Sequence, residues 1–110
     1  GEWLKQFLKI PQVHHVGKLG QIITQVAIGC GSAGKFLDQA IREECDLFIT
    51  GEASFHTLLE AEARGVGMLL PGHYASERFG VERLALAVQK QFPNLTVWAS
   101  ETERDPLGVL

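Results

Sequence analysis

The sequence predicts an α/β fold, a mainly parallel sheet of about five strands with helices on both faces. Two observations carry this. From residue 22 onward, strand-like apolar runs alternate with segments of helical spacing, in the order β-α-β-α-β-α-β. The runs "DLFI" and "GMLL" are continuously apolar rather than alternating, which is the pattern of strands buried on both sides. Size and composition agree: 110 residues, 45% hydrophobic and 21% charged, make one domain able to bury a core without staples.

The elements follow in order. Trp3, Leu4, Phe7 and Leu8 form an i, i+1, i+4, i+5 stripe, a helix that Pro11 stops. "QVHHVGKL" reads as a short, half-exposed strand, and "IITQVAIGC" as a stronger one rich in β-branched residues. "GSAG" follows, with Ser32 as N-cap, and Phe36, Leu37, Ala40 and Ile41 stripe the next helix. "DLFIT" is a buried strand. "GEASFHTLLEAEARG" is a turn and a helix capped by Ser54 and ended by Gly65. "VGMLLP" is a further buried strand. "SERFGVERLALAVQKQF" is the longest helix, with Val81, Leu84, Ala85, Val88 and Phe92 on one face. "NLTVWAS" completes the strands, and "ETERDPLGVL" is a polar, then weakly apolar, tail. No repeat, linker or low-complexity segment interrupts residues 1–110, which read as a single domain.

Composition also excludes function classes. A net charge of −3 with no basic cluster argues against nucleic-acid binding. The apolar runs fall well short of the roughly 20 residues a membrane span needs. The opening "GEWLKQFLKI" lacks the order of a signal peptide. Cys30 and Cys45 are placed at opposite ends of one helix of about a dozen residues, roughly 18 Å apart and too far to bridge. Two unpaired thiols point to a reducing, cytoplasmic setting.

Ligands of parallel α/β sheets bind outside the carboxyl ends of the strands. This sequence loads those ends with Cys30-Gly31-Ser32-Ala33-Gly34, Thr50-Gly51-Glu52, Pro71-Gly72-His73, and Ser100-Glu101. His73 and Glu77 are the sharpest pair. If the helix begins early, i and i+4 share a face; if Ser76 caps it, His73 sits in the turn before it. Imidazole plus carboxylate suits Zn²⁺, Mn²⁺ or Fe²⁺. The competing reading is that Glu77 favours the positive end of a helix dipole and His73 is a turn residue. Glu52 and His56 repeat the i, i+4 pairing one unit earlier, as cleft residues or as a surface pair. His14 and His15 are strand neighbours that point to opposite faces, so at most one faces any site.

"GCGSAG" at 29–34 matches G-x-G-x-x-G after a strand, with Glu52 about 20 residues on, as a dinucleotide fingerprint requires through Gly29, Gly31, Gly34 and Glu52. The alternative is a tight turn whose amides at Gly31 and Ser32 hold an anion or a water. Ser32 and Ser76 lack a His/Asp relay, and no histidine partner is assignable to Cys30.

Three motifs taken together resemble the C-terminal half of the Nif-three-like family, the NGG-one-interacting-factor proteins also described as GTP cyclohydrolase I type 2 homologues. They are the turn "GCGSAG", the D-x-x-I-T-G-E segment Asp46–Glu52, and "GHYASE" at 72–77, and the closing "ETERDPL" is similar to the family's end. The resemblance covers the chain from about residue 5. It implies a dinuclear metal centre between two α/β halves, with His73 and Glu77 as ligands; the expected ion is divalent, Zn, Mn, Fe or Ni, with Glu52 and His56 as further cleft candidates. It implies metal-assisted hydrolysis of the GTP cyclohydrolase kind, and it disfavours the dinucleotide reading. Members of the family complete the site with a His-His-Pro pair and an aspartate in the N-terminal half. Here His14-His15 is followed by Val16 and belongs to another part of the pattern. The expected partners are therefore a missing N-terminal half or further copies of this chain, together with a small-molecule ligand. A non-enzymatic assembly module with a structural or regulatory metal is the second expectation.

Overall fold

The computed structural model describes residues 1–108, so the last two residues of the tail lie outside it. Helix α1 spans Glu2–Leu8, strand β1 His14–Val16 and β2 Val26–Gly29. A 3-10 turn at Gly34–Phe36 leads into α2, Leu37–Arg42. Then come β3 (Leu47–Thr50), α3 (Phe55–Arg64), β4 (Gly67–Leu70) and α4 (His73–Gln91).

The sheet has four strands in the order β1-β4-β3-β2. β2, β3 and β4 run parallel, and β1 lies antiparallel against β4. Parallel neighbours need crossover connections long enough to hold a helix, and α2 and α3 are those crossovers. The register aligns Ala27, Phe48 and Met68 in one row, with Val16 opposite Met68. Side chains of that row point to one face, where they meet Leu37 and Ala40 of α2 and Ala61 of α3 in a continuous core. Phe48 and Met68 are fully buried, each contributing about 1.5–3 kcal/mol of transfer free energy.

Several expectations need correction. No strand forms over "NLTVWAS". That segment is tied instead to the side chain of Gln89, which donates to Leu95 O at 2.8 Å and accepts from Val97 N at 3.1 Å. A ladder needs a neighbouring strand, and α4 supplies only one amide side chain. Helical cover on both faces is also not established. On the face away from α2 and α3, Ile28 is 72% exposed and Val26 43% exposed. The stripe expected on α4 is largely unpartnered too, since Val81, Leu84 and Phe92 are exposed and Ala85 and Val88 only half-buried. Ser32 caps nothing: the 3-10 turn starts at Gly34 with no side-chain cap, and α2 is shorter than the expected dozen residues. By contrast, Ser54 does cap α3, accepting from Thr57 N at 3.2 Å, and Gly65 ends it at φ +74°.

α4 begins at His73, four residues earlier than a Ser76 cap would place it. Its N-cap is Gly72 at φ +100°, a conformation that favours glycine. This puts His73 and Glu77 in the first turns of one helix.

Candidate functional site

Three turns meet at the carboxyl ends of the parallel strands, and Gly31 is the hub. Its N–H donates to Ser76 Oγ at 2.9 Å, and its carbonyl accepts from Glu52 N at 3.1 Å. Next to it, Gly72 N donates to Gly51 O at 3.0 Å. These bonds continue the strand pairing into the turns, so the β2, β3 and β4 ends are held in fixed relation.

Thr50 lies beneath, only 1% exposed. Its hydroxyl accepts from Ala33 N and donates to Gly31 O, both at 3.2 Å. A buried hydroxyl is tolerated only when partnered in this way. Ser76 serves two turns at once, accepting from Gly31 and donating to His73 O at 2.8 Å. Its side chain works across the fold rather than as the helix cap the sequence suggests.

The side chains on this frame are His73, Glu77 and Glu52. Nδ1 of His73 lies 2.7 Å from Glu52 Oε1, and Nε2 lies 3.3 Å from Glu77 Oε1. The hydrogen bond with Glu52 holds the His73 imidazole above its ordinary pKa of 6.5; partial desolvation opposes this, and the charge of Glu77 reinforces it. Gly31 closes the far side. A Cβ built there would stand 2.3 Å from Glu77 Oε1 and 3.1 Å from His73 Nε2, so a side chain would fill the space the two groups occupy.

The other residues singled out in the sequence fare differently. His56 is exposed, with its ring 6.2 Å from Phe55, and the carboxylate of Glu52 turns to His73 instead of to it. At the expected anion-binding turn of Gly31 and Ser32, the Gly31 amide is not open. The Gly31 amide is spent on Ser76, and a carboxylate already lies against its α-carbon, which repels a phosphate. The same geometry argues against a dinucleotide at Gly29, Gly31, Gly34 and Glu52. His14 and His15 sit on β1, opposite Leu70 and Leu69 on opposite faces of the sheet. Cys30 is exposed and Cys45 buried, both free. Sequence reasoning missed Thr50 and the true role of Ser76. The signal was present in Thr50-Gly51-Glu52, where a hydroxyl precedes a turn glycine at a strand end.

Among the described residues, no group of three or more His, Cys, Asp or Glu gathers as a complete metal cage. An open groove of about 1090 Å³ runs from Glu52 and His73 past Tyr74 and Arg78 to Phe79. Arg78 lines it while bound to Glu82 at 3.1 Å, to Glu103 and to Ser100 O, which fastens the segment after α4 beside the groove. Among the described residues, no helix is long and apolar enough to cross a membrane.

Fold and site together define an α/β domain that carries an imidazole–carboxylate cluster where parallel strands hand over to helices. Residues 2–106 match the family model described as Duf34/NIF3 (NGG1p interacting factor 3), and the chain belongs to that family. It is similar to the "GTP cyclohydrolase 1 type 2 homolog" of Bacillus subtilis, 30% identical over 112 residues that cover 98% of this chain and 30% of that protein. It is 32% identical to "NIF3-like protein 1" of Rattus norvegicus over 114 residues, covering 99% of this chain and 30% of the relative. Among solved structures, a Staphylococcus aureus protein superposes with a TM-score of 0.81 at 31% identity, over 96% of this chain and 31% of the other. A Bacillus cereus protein related to NIF3 gives 0.80 at 27% identity, over 99% of this chain and 31% of the other. The chain thus spans under a third of the length of the curated relatives it matches.

Proposed function

We propose that this chain supplies one imidazole and one carboxylate, His73 and Glu77, to a divalent-metal centre of a DUF34/NIF3 protein. One observation carries the reading. Ligand atoms about 2.1 Å from a shared metal stand about 3.0 Å apart at right angles and about 3.4 Å apart at the tetrahedral angle. His73 Nε2 and Glu77 Oε1 are 3.3 Å apart, and the bare α-carbon of Gly31 keeps that space clear. The two groups therefore fit two adjacent ligand positions.

Magnitudes support a functional purpose for the cluster. His73, Glu52 and Glu77 are 46%, 54% and 53% exposed, and ion pairs so open to solvent contribute little to stability. Gathering them on a frame of five cross-turn hydrogen bonds gives little stability in return.

The metal would be Zn, Mn, Fe or Ni, and when bound it would act as a Lewis acid or acidify a bound water. His73 contributes a neutral lone pair and Glu77 an anionic oxygen, and the groove lined by His73 and Glu52 holds room for a small-molecule ligand. Catalytic zinc takes three protein ligands and structural zinc four. The remainder would come from a second copy of this chain or from the part of the longer relatives that it does not span. In the complete protein we assign metal-assisted hydrolysis at a dinuclear centre, in a cytoplasmic setting that suits two free thiols. The second reading keeps the same ligands for a structural or regulatory metal that joins two surfaces without a reaction. The half-exposure of His73 and Glu77 favours it equally.

The test is elemental analysis of the chain after loading with Zn²⁺, Mn²⁺, Fe²⁺ or Ni²⁺, beside the His73→Ala/Glu77→Ala variant. Metal is expected in the parent and lost in the variant, with unchanged circular dichroism. Equal metal content in the two would overturn the reading. A hydrolytic rate that depends on the same two residues separates the enzyme from the assembly module.

A further inference from the structure

We infer that Glu52 is the positioning residue of His73, fixing the imidazole as the Nδ1–H tautomer so that Nε2 presents its lone pair beside Glu77. The inference rests on the metal reading for its purpose, but its physical content stands on the geometry alone.

An ionised carboxylate only accepts hydrogen bonds. With Glu52 Oε1 at 2.7 Å from Nδ1, the proton must lie on Nδ1. In the opposite tautomer two lone pairs would face each other at that distance. In the neutral ring this leaves Nε2 without a proton on the side where Glu77 Oε1 stands 3.3 Å away, an acceptor facing an acceptor across the longer of the two contacts, which a cation held between them would relieve. Carboxylate–imidazole pairs behind a metal-binding nitrogen work on this principle, and removing the carboxylate typically weakens the metal 10–100-fold.

Both partners are held by backbone rather than by the contact itself. Glu52 N is bonded to Gly31 O at 3.1 Å, and its carbonyl faces the Thr50 hydroxyl at 3.5 Å. His73 is fixed by Gly72 N on Gly51 O and by Ser76 Oγ on its own carbonyl. Gly51 and Gly72, the residues before Glu52 and His73, are therefore bonded to each other. The two side chains have only to close the last gap. The i, i+4 partner that the sequence suggests for Glu52 is His56, and the fold takes the carboxylate away from it.

The test uses the metal-free chain at a pH where His73 is neutral. Long-range ¹H–¹⁵N correlation spectra report which ring nitrogen carries the proton. The parent is expected to show the Nδ1–H form for His73, and Glu52→Ala to move it toward Nε2–H. Glu52→Gln, whose amide both donates and accepts, keeps the shape if the alanine variant fails to fold, and should give a mixture. Zn²⁺ titration of the same samples is expected to weaken 10–100-fold in Glu52→Ala with the stoichiometry retained. An unchanged tautomer in the variants overturns the inference even if the parent binds Zn²⁺ well. A Glu52→Ala stoichiometry as low as that of His73→Ala also overturns it, because Glu52 would then be a ligand. A tautomer that switches between parent and Glu52→Ala, with no Zn²⁺ uptake by the parent, upholds the positioning role and sinks the metal reading instead.

Discussion

Glu77 lies against the bare α-carbon of Gly31, from a helix that begins more than forty residues later: a Cβ on Gly31 would come within 2.3 Å of Oε1. The glycine also sits at φ +62°, where an L side chain costs about 1–2 kcal/mol. Gly31→Ala should therefore destabilise the chain by roughly 1–3 kcal/mol and expel the Glu77 side chain. Urea denaturation reads the first effect and Zn²⁺ affinity the second. Adding Glu77→Ala should relieve the steric part and leave the backbone part, so the double-mutant cycle should show coupling. Strict additivity would mean that Glu77 simply swings clear.

Thr50 offers a second handle on the same frame. Thr50→Val keeps the shape but leaves the buried Ala33 N–H without its acceptor, at a cost of about 1–3 kcal/mol. Thr50→Ser keeps the hydroxyl and should recover most of that loss. If serine is no better than valine by denaturation, the hydroxyl network is not what holds these turns together.

Asp46 should make stability depend on pH. Its carboxylate accepts from the Thr24 hydroxyl at 2.7 Å, Thr24 N at 2.7 Å and Gln25 N at 2.9 Å, and these bonds hold it below its ordinary value of 3.8. A depressed folded-state value contributes stability that is present above 3.8 and lost as pH falls through the lower folded value. Asp46→Asn should therefore unfold at lower urea than the parent at pH 7, and the gap should narrow under strong acid. A gap independent of pH would show that the carboxylate's charge is immaterial.

Ser54 is the only side-chain helix cap among the described helices. Ser54→Ala should cost about 1 kcal/mol, and Ser54→Asp should recover it. Thermal melts of the two variants would check this, and equal melting temperatures for parent and alanine variant would contradict it.

The parts of the fold that were legible in the sequence are those decided locally. Gly65 and Ser54 bound α3, and continuous apolar runs mark β3 and β4, because capping and full burial leave a mark within a few residues. What could not be read depends on partners distant in sequence. "NLTVWAS" has strand composition, but β propensity describes fit to a pleated neighbour, and here the segment meets Gln89 of a helix. The start of α4 could not be fixed between an early start and a Ser76 cap, because Ser76 looks like a cap while its hydroxyl reaches to Gly31, 45 residues away. His73 and Glu77 were legible as an i, i+4 pair, although their metal role remains a proposal. The partner of Glu52 was not legible, since His56 is its neighbour by spacing and His73 only by strand order.

The bond between Gly31 and Ser76 spans 45 residues and two complete crossovers. Nothing shorter than the full β2-to-α4 chain can close it, and closing so long a loop carries an entropic cost that the folded contacts must offset. A partly folded chain has the residues without the site. A ligand that binds between His73 and Glu77 more tightly in the finished frame than in the unfolded chain would, by mass action, draw the folding equilibrium toward the folded form. Ligand supply would then set how much of this chain persists in the folded state, whether or not the site ever turns a substrate over.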